Sequence, residues 1–498
     1  MTVFLEGLLW LSNKVVTFIW GNWMILLLVG TGILLTFMTR FIQVRKFFLS
    51  LKYLFQGGKK SEVLKDTEGD ISPFAALMTA LAATVGNGNI AGVAAAIATG
   101  GPGAPFWMWV SGFFGMATKY AECFLGVKFR KVAEDGSMAG GPMYYCRYGI
   151  KNLSIAKFLG MVFAVCGGFT ALLGTGNMMQ SNSMALAMKA QLNVPTILSA
   201  VVITLLVGIV IIGGIKRIGA VAEKLVPSMI VFYIGGALFI LVAKFTELDD
   251  AIVLIFRSAF SLKAAGGALI GTSIQKAISL GVRRGVLSNE AGLGSAAIAQ
   301  SAAKSPDPTF NGLLGMTGVF IDTILVNTIT TLTVVVTGVW KLTPAAGLDL
   351  IKEGTMLAAD KIATLQPQVI EMADKIGYDL SAGGLSSTAL TVEAFNSVIP
   401  FGGLIIAIGS LIFGYTTLLG WAYYGEQCIG YIWGIKSHMP YRIVFITLLF
   451  FGALMTGKYL DIVWNIGDTF NAIMAIPNLI GLLFLARIVS RITRESFK

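Results

Sequence analysis

Predominantly apolar runs of about 18 residues or more, the length a helix needs to cross a bilayer core, recur eleven times along the chain. They lie at 16–38, 72–99, 104–128, 157–187, 194–214, 218–243, 264–300, 311–340, 398–424, 440–456 and 460–488. The pattern predicts an all-α membrane protein of eleven transmembrane helices. Two of the runs carry the wrong chemistry for a plain span. Within 72–99, Gly86-Asn87-Gly88-Asn89 alternates glycine and asparagine where the hydrocarbon is thickest. Glycine costs a helix about 1 kcal/mol relative to alanine, and asparagine about half that. Irregular backbone survives at such depth only where it lines a cavity or binds something. Small residues also let membrane helices pack closely, but four small or amide residues in succession weigh towards a broken helix that binds. The run 264–300 is too long for one straight helix. It opens Ala264-Ala265-Gly266-Gly267-Ala268 and closes Arg284-Gly285-Val286-Leu287-Ser288-Asn289-Glu290-Ala291-Gly292-Leu293-Gly294-Ser295.

The first span, with the basic linker after it (1–71), stands apart as an N-terminal extra helix. Ten spans remain over 72–490, five plus five, and the interrupted runs are the first and sixth of them. Discontinuous helices at corresponding positions of two halves point to a secondary transporter site near the bilayer midplane. Five is odd, so the second half (264–490) is inverted relative to the first (72–243). A polar segment of mixed charge, 341–397, reads as an outer loop, and 491–498 as a tail.

Composition agrees: 55% hydrophobic and 13% charged, about half the charge of a soluble chain. The net charge of +11 is spread over short loops rather than gathered into a nucleic-acid patch. With the N-terminus outside, 25 of the 37 Lys and Arg fall in inner loops and ten in outer ones, which sets the C-terminus in the cytoplasm. That count places Arg283 and Arg284 inside. The first run lacks a basic leader and is expected to be retained as a cell-membrane span. Four scattered cysteines and the single His438 offer neither a disulfide framework nor a metal or triad chemistry.

A half-helix restarting after a break presents free N–H groups and a positive dipole end, which suits a carboxylate. The amides of Asn87 and Gly88 are the candidates, beside Gly86. An ammonium group needs oxygens: carbonyls around Thr84, the opposite break at Ala265, Gly266 and Gly267, or the amide of Asn89. Gln180, flanked by Asn177 and Asn182 in an apolar context, either touches a ligand or bonds between helices. Trp421 either walls the pocket or packs in the core. Asp322 is the acid deepest within a span, as a cation or proton site or as a partnered buried acid. Lys119 and Glu122, three apart, read as a pair on a helix surface.

Several of these stretches resemble the alanine or glycine:cation symporter family, the sodium:alanine symporters. They are Thr84-Val85-Gly86-Asn87-Gly88-Asn89-Ile90-Ala91-Gly92, Gly100-Gly101-Pro102-Gly103-Ala104-Pro105-Phe106-Trp107-Met108-Trp109-Val110, Gly176-Asn177-Met178-Met179-Gln180-Ser181-Asn182 and Arg284 through Ser295. The likeness runs from about 16 to 490. It implies the LeuT-like fold, whose first core helix carries a break similar to Val85–Asn89, and sodium-coupled uptake of a small neutral amino acid. It also implies a sodium site made by carbonyls of Ala82, Val85 and Phe413 with the hydroxyls of Thr416 and Thr417. On sequence alone, adjacent threonines in a membrane helix bond their own backbone. The small Ala268, where an aromatic is found in some members, admits serine- or glutamine-sized side chains. A proton-coupled symporter using Asp322 is the alternative, ahead of a channel, for which no selectivity motif is found. An enzyme is not expected, since no nucleophile–base pair or metal cluster presents itself.

Overall fold

The computed structural model describes residues 2–56, 67–174, 176–260, 274–305, 307–343, 387–455 and 458–497. Each of the eleven predicted runs contains helix. Seven helices among the described residues are long and apolar enough to cross a membrane, and a bent pair makes an eighth candidate span. The first run begins earlier than predicted, as Thr2–Ile19 and Asn22–Met38, hinged at Gly21. Its Trp20 indole donates to the Asp468 carbonyl at 3.1 Å, tying it to the last helix, Lys458–Ser496. Most of the predicted outer loop lies outside the described residues. Its end, however, is the helix Ser387–Asn396, which Thr391 fastens to the Ile90 carbonyl at 3.2 Å.

The bent pair is Pro73–Thr84 and Gly88–Gly100, turned by 49°. Ser72 starts it by accepting the Ala75 N–H at 3.0 Å, with proline in the first turn where no N–H is needed. Helix Pro73–Thr84 is buried all round. Ala75, Ala76, Ala80 and Ala83 face one apolar cluster and Leu77, Met78, Leu81 and Ala82 another, so it lies between the two. The helix ends at Thr84, and the chain resumes as a π-helical turn, Gly88–Gly92.

The other broken run is Ile274–Asn289 followed by Ser295–Ser301. Its break falls at 290–294, where Glu290, Gly292 and Gly294 all have positive φ (55°, 95° and 81°). Arg283 and Arg284, assigned to an inner loop by the charge count, sit inside the first of these helices; the Lys/Arg bias survives their removal. Lys119 and Glu122 are not on a surface either, being 2% and 0% exposed. They come from helix Ala104–Lys128 and splint this break. Lys119 Nζ donates to the Asn289 carbonyl at 2.8 Å, while Glu122 Oε1 accepts the Gly292 and Gly294 amides at 2.9 and 3.0 Å. A cation thus meets the negative end of the helix that stops and an anion the positive end of the one that restarts.

The flanks of the two broken helices are joined. Asp70 N–H donates to the Ala302 carbonyl and Lys304 N–H to that of Ile71, each at 2.8 Å. Arg130 reaches the same seam with four bonds of 2.6–3.1 Å, to the carbonyls of Glu68, Ser301, Ala303 and Ser305. Burial holds its guanidinium below the usual arginine range, and the acids Glu68 and Asp70 oppose that shift. All four cysteines are buried and free.

Candidate functional site

A cavity of about 800 Å³ opens beside the first break, lined by that break, by Arg284–Glu290 of the second broken run, by the described helices 178–192, 387–396 and 402–433, and by Trp464 and Asp468 of the last helix. The break itself contributes Thr84, Gly86, Asn87 and Gly88 to the wall. Asn87 spans three elements. Its Nδ2 donates to Gln180 Oε1 at 3.1 Å, and its Oδ1 accepts from Ser410 Oγ at 2.6 Å. Of the amide-rich stretch 176–182, Gln180 faces the cavity; Asn177 and Asn182 instead donate to carbonyls of Phe445, Gly452 and Met455 behind it.

Asn89, expected among the ligand groups, is turned away and wholly buried. Its Oδ1 accepts the Gly86 N–H at 2.8 Å, closing the break from within. Its Nδ2 meets Asp322 Oδ1 at 2.7 Å and Asn327 Oδ1 at 2.8 Å. Asp322 lies in a second π-helical turn, Phe320–Val326, and also accepts from Ser288 at 2.9 Å and Thr323 at 2.8 Å. The two π turns therefore meet through an Asn–Asp pair, and Ser288 ties the second broken run to both. Turns of this kind recur at functional sites. Asp322 does not line the cavity; it is a buried acid held by three side-chain donors, Asn89, Ser288 and Thr323.

Ala265, Gly266 and Gly267 lie outside the described residues, as does Ala268. The second broken run instead brings Arg284, Leu287, Ser288 and Glu290 to the wall. Of the sodium candidates, Thr417 alone lines the cavity, and it presses on the first break: a Cβ at Gly86 would stand 2.7 Å from Thr417 Oγ1. Ala82, Val85, Phe413 and Thr416 are buried behind. Both threonines donate to the Phe413 carbonyl, at 3.0 and 2.9 Å, and Thr416 Oγ1 also lies 3.4 Å from Met229 Sδ. Trp421 is wall and core at once, its indole N–H donating to Glu290 Oε1 at 3.1 Å.

Sequence reading missed Ser410, Ser288, Glu290 and Arg284. Helical spacing holds a signal for the first. Ser410, Thr417 and Trp421 are seven and four apart, one stripe of helix Gly402–Trp433. Ser288 lies four after Arg284 in the same way. Glu290 carried no such signal, because its place depends on a break whose position only the fold defines.

Comparison with known proteins places these features in context. The family model described as the sodium:alanine symporter family matches residues 6–373 and 362–498. The sodium/alanine symporter AgcS of Methanococcus maripaludis is 46% identical over 479 residues, covering 96% of this chain and 95% of that protein. A putative sodium/proton-dependent alanine carrier protein of Bacillus subtilis, YrbD, is 34% identical, covering 94% and 88%. A probable sodium/glutamine symporter of the same organism, GlnT, is 32% identical, covering 98% and 90%.

Proposed function

The chain belongs to the sodium:alanine symporter family, a multi-pass membrane transporter and not an enzyme, and from that premise we propose that it takes up a small neutral amino acid together with sodium by alternating access. The observation that carries this reading is the cavity between two broken helices, in whose largely apolar wall Asn87, Gln180 and Ser410 form one continuous hydrogen-bonded arc. Those groups suit the carboxylate and side chain of a zwitterion. The Thr417 hydroxyl beside Gly86 supplies a hard oxygen of the kind a sodium ion needs, with the Phe413 carbonyl behind it. The driving force is adequate. One sodium moving down about 100 mV releases about 2.3 kcal/mol, and a tenfold gradient adds about 1.4. Together they sustain accumulation of about a few hundred-fold.

We assign eleven spans to the chain, with the N-terminus outside, the C-terminus in the cytoplasm, and an inverted five-plus-five core over 72–490. The place of Asp322 off the cavity, already held by three side-chain donors, supports sodium over a proton as the coupling ion. Alanine, serine and glutamine are the substrates to try first. A thermal-shift screen of the twenty amino acids, with sodium or choline as the cation, tests the reading, because a ligand that binds the folded state raises its apparent stability. Sodium-dependent shifts from a few small neutral amino acids are expected. Uptake into proteoliposomes that is indifferent to sodium at fixed pH refutes the coupling, and no shift from any amino acid refutes the substrate class.

A further inference from the structure

We propose that Glu290 is the specificity residue that selects for a substrate bearing an α-ammonium group, and that Trp421 positions it. The inference rests on the amino-acid reading above and deepens it. Glu290 stands in the break of the second run at φ 55°, a left-handed conformation that non-glycine residues hold only where the surroundings enforce it. It is buried and lines the cavity together with Thr84, Gly86 and Thr417. Each oxygen is already aimed. Oε1 accepts the Trp421 indole N–H at 3.1 Å, and Oε2 accepts Ser295 Oγ at 2.5 Å. A carboxylate oxygen has two lone pairs, so both retain room for a further donor.

The orienting group is itself held: a Cβ at Gly176 would stand 2.7 Å from the Trp421 side chain, so the indole is pressed from behind. Two other acids line the cavity: Asp468, paired with Arg283 at 3.5 Å, and Glu393 on helix Ser387–Asn396, which is only half-buried and stands outside both breaks. Glu290 has no ion pair within 4 Å among the described residues; the Lys119 ammonium acts on it only from a distance and donates its hydrogen bond to the Asn289 carbonyl instead. A buried, oriented anion of this kind favours a cationic donor strongly over a hydroxyl or a methyl group, since charge-assisted bonds are about twice as strong as neutral ones.

The test is competition for sodium-dependent binding of labelled L-alanine to the purified protein, with L-lactate, which replaces the ammonium by a hydroxyl, as the second ligand. In the wild type, alanine is expected to bind and lactate to compete poorly. In Glu290→Gln, alanine affinity should fall about 10- to 100-fold, the worth of one charge-assisted bond, while lactate competes better than before because its carboxylate no longer meets a second anion. Trp421→Phe keeps the ring but removes the N–H, so it should narrow the alanine-to-lactate ratio in the same direction by a smaller factor; it decides the matter if the Gln variant does not fold. Alanine affinity retained within threefold, or lost without any gain for lactate, overturns the assignment. A wild type that binds no neutral amino acid fails the proposed function instead.

Discussion

The splint across the second break makes a quantitative prediction about two buried charges. Glu122 Oε1 accepts from Gly292 and Gly294 N–H and from Asn478 Nδ2 at 2.7 Å, and Lys119 holds the Asn289 carbonyl. Changing Glu122 to Gln turns three charge-assisted bonds into neutral ones. The former contribute about 1.5–3 kcal/mol each and the latter about 0.5–1.5, so the loss is on the order of 3 kcal/mol. Lys119→Met keeps an apolar stem but leaves a buried carbonyl without its donor and a carboxylate without its nearby cation. Leaving a buried acceptor without its donor costs about 1–3 kcal/mol, and the lost field of the ammonium at Glu122 adds to it. In the double variant neither charge is buried alone, and the combined cost should fall short of the sum by about 2 kcal/mol. Equilibrium denaturant unfolding of the four proteins in one detergent measures the cycle. If the two single losses add to within about 0.5 kcal/mol of the double, the residues act independently and the splint is refuted.

Asn87→Leu severs the bridge from Gln180 to Ser410, so substrate affinity should drop by more than about tenfold, the worth of one to two hydrogen bonds; a binding assay giving an unchanged affinity would remove Asn87 from the pocket. Thr417→Val should raise the half-saturating sodium concentration of uptake while Thr416→Val leaves it nearly unchanged, because Thr417 faces the cavity and Thr416 faces Met229. Equal effects would mean the hydroxyls matter only through the Phe413 carbonyl. Arg130→Ala strips one donor group from four carbonyls and should lower unfolding stability by about 2 kcal/mol or more. A loss under 0.5, an order-of-magnitude floor for a surface change, would show the seam holding without it.

What the sequence disclosed and what it hid divide along a physical line. Apolar runs long enough to span are a local property, so every predicted run contains helix. Gly86-Asn87-Gly88-Asn89 is likewise locally hostile to helix, and the break is there. The partners that close a break are another matter. Asn89 looked like a ligand group because its companion Gly86 lies three residues away and its other companions, Asp322 and Asn327, lie over two hundred residues on. Lys119 and Glu122 looked like a surface pair because spacing reports which residues share a face, not what that face meets. Arg283 and Arg284 were counted with the inner-loop charges, yet they sit on a helix where Arg284 faces a cavity and Arg283 an acid. Ser387–Asn396 carries too weak a pattern to be separated from the polar segment before it.

A helix broken at membrane depth strands main-chain groups that lipid cannot satisfy, and here side chains have taken several of them. Asn89 accepts the Gly86 N–H, Glu122 accepts the amides of Gly292 and Gly294, and Lys119 donates to the last carbonyl before the second break. On the proposed function, recognition would fall chiefly to side chains on separate elements, whose relative positions would change if those elements moved. Gly86 tests this directly. If its N–H bound the substrate carboxylate, Gly86→Ala would weaken substrate binding even at saturating sodium. With that N–H already held by Asn89, the added Cβ can act only by pushing Thr417 Oγ1, which would lie 2.7 Å away and is anchored at 2.9 Å to the Phe413 carbonyl. The expected outcome is therefore a higher sodium requirement, with substrate affinity at saturating sodium close to wild type. Uptake kinetics measured across sodium concentrations separate the two cases: a raised substrate KM that sodium does not correct would return the Gly86 amide to the binding site and remove Asn89 from the role given to it.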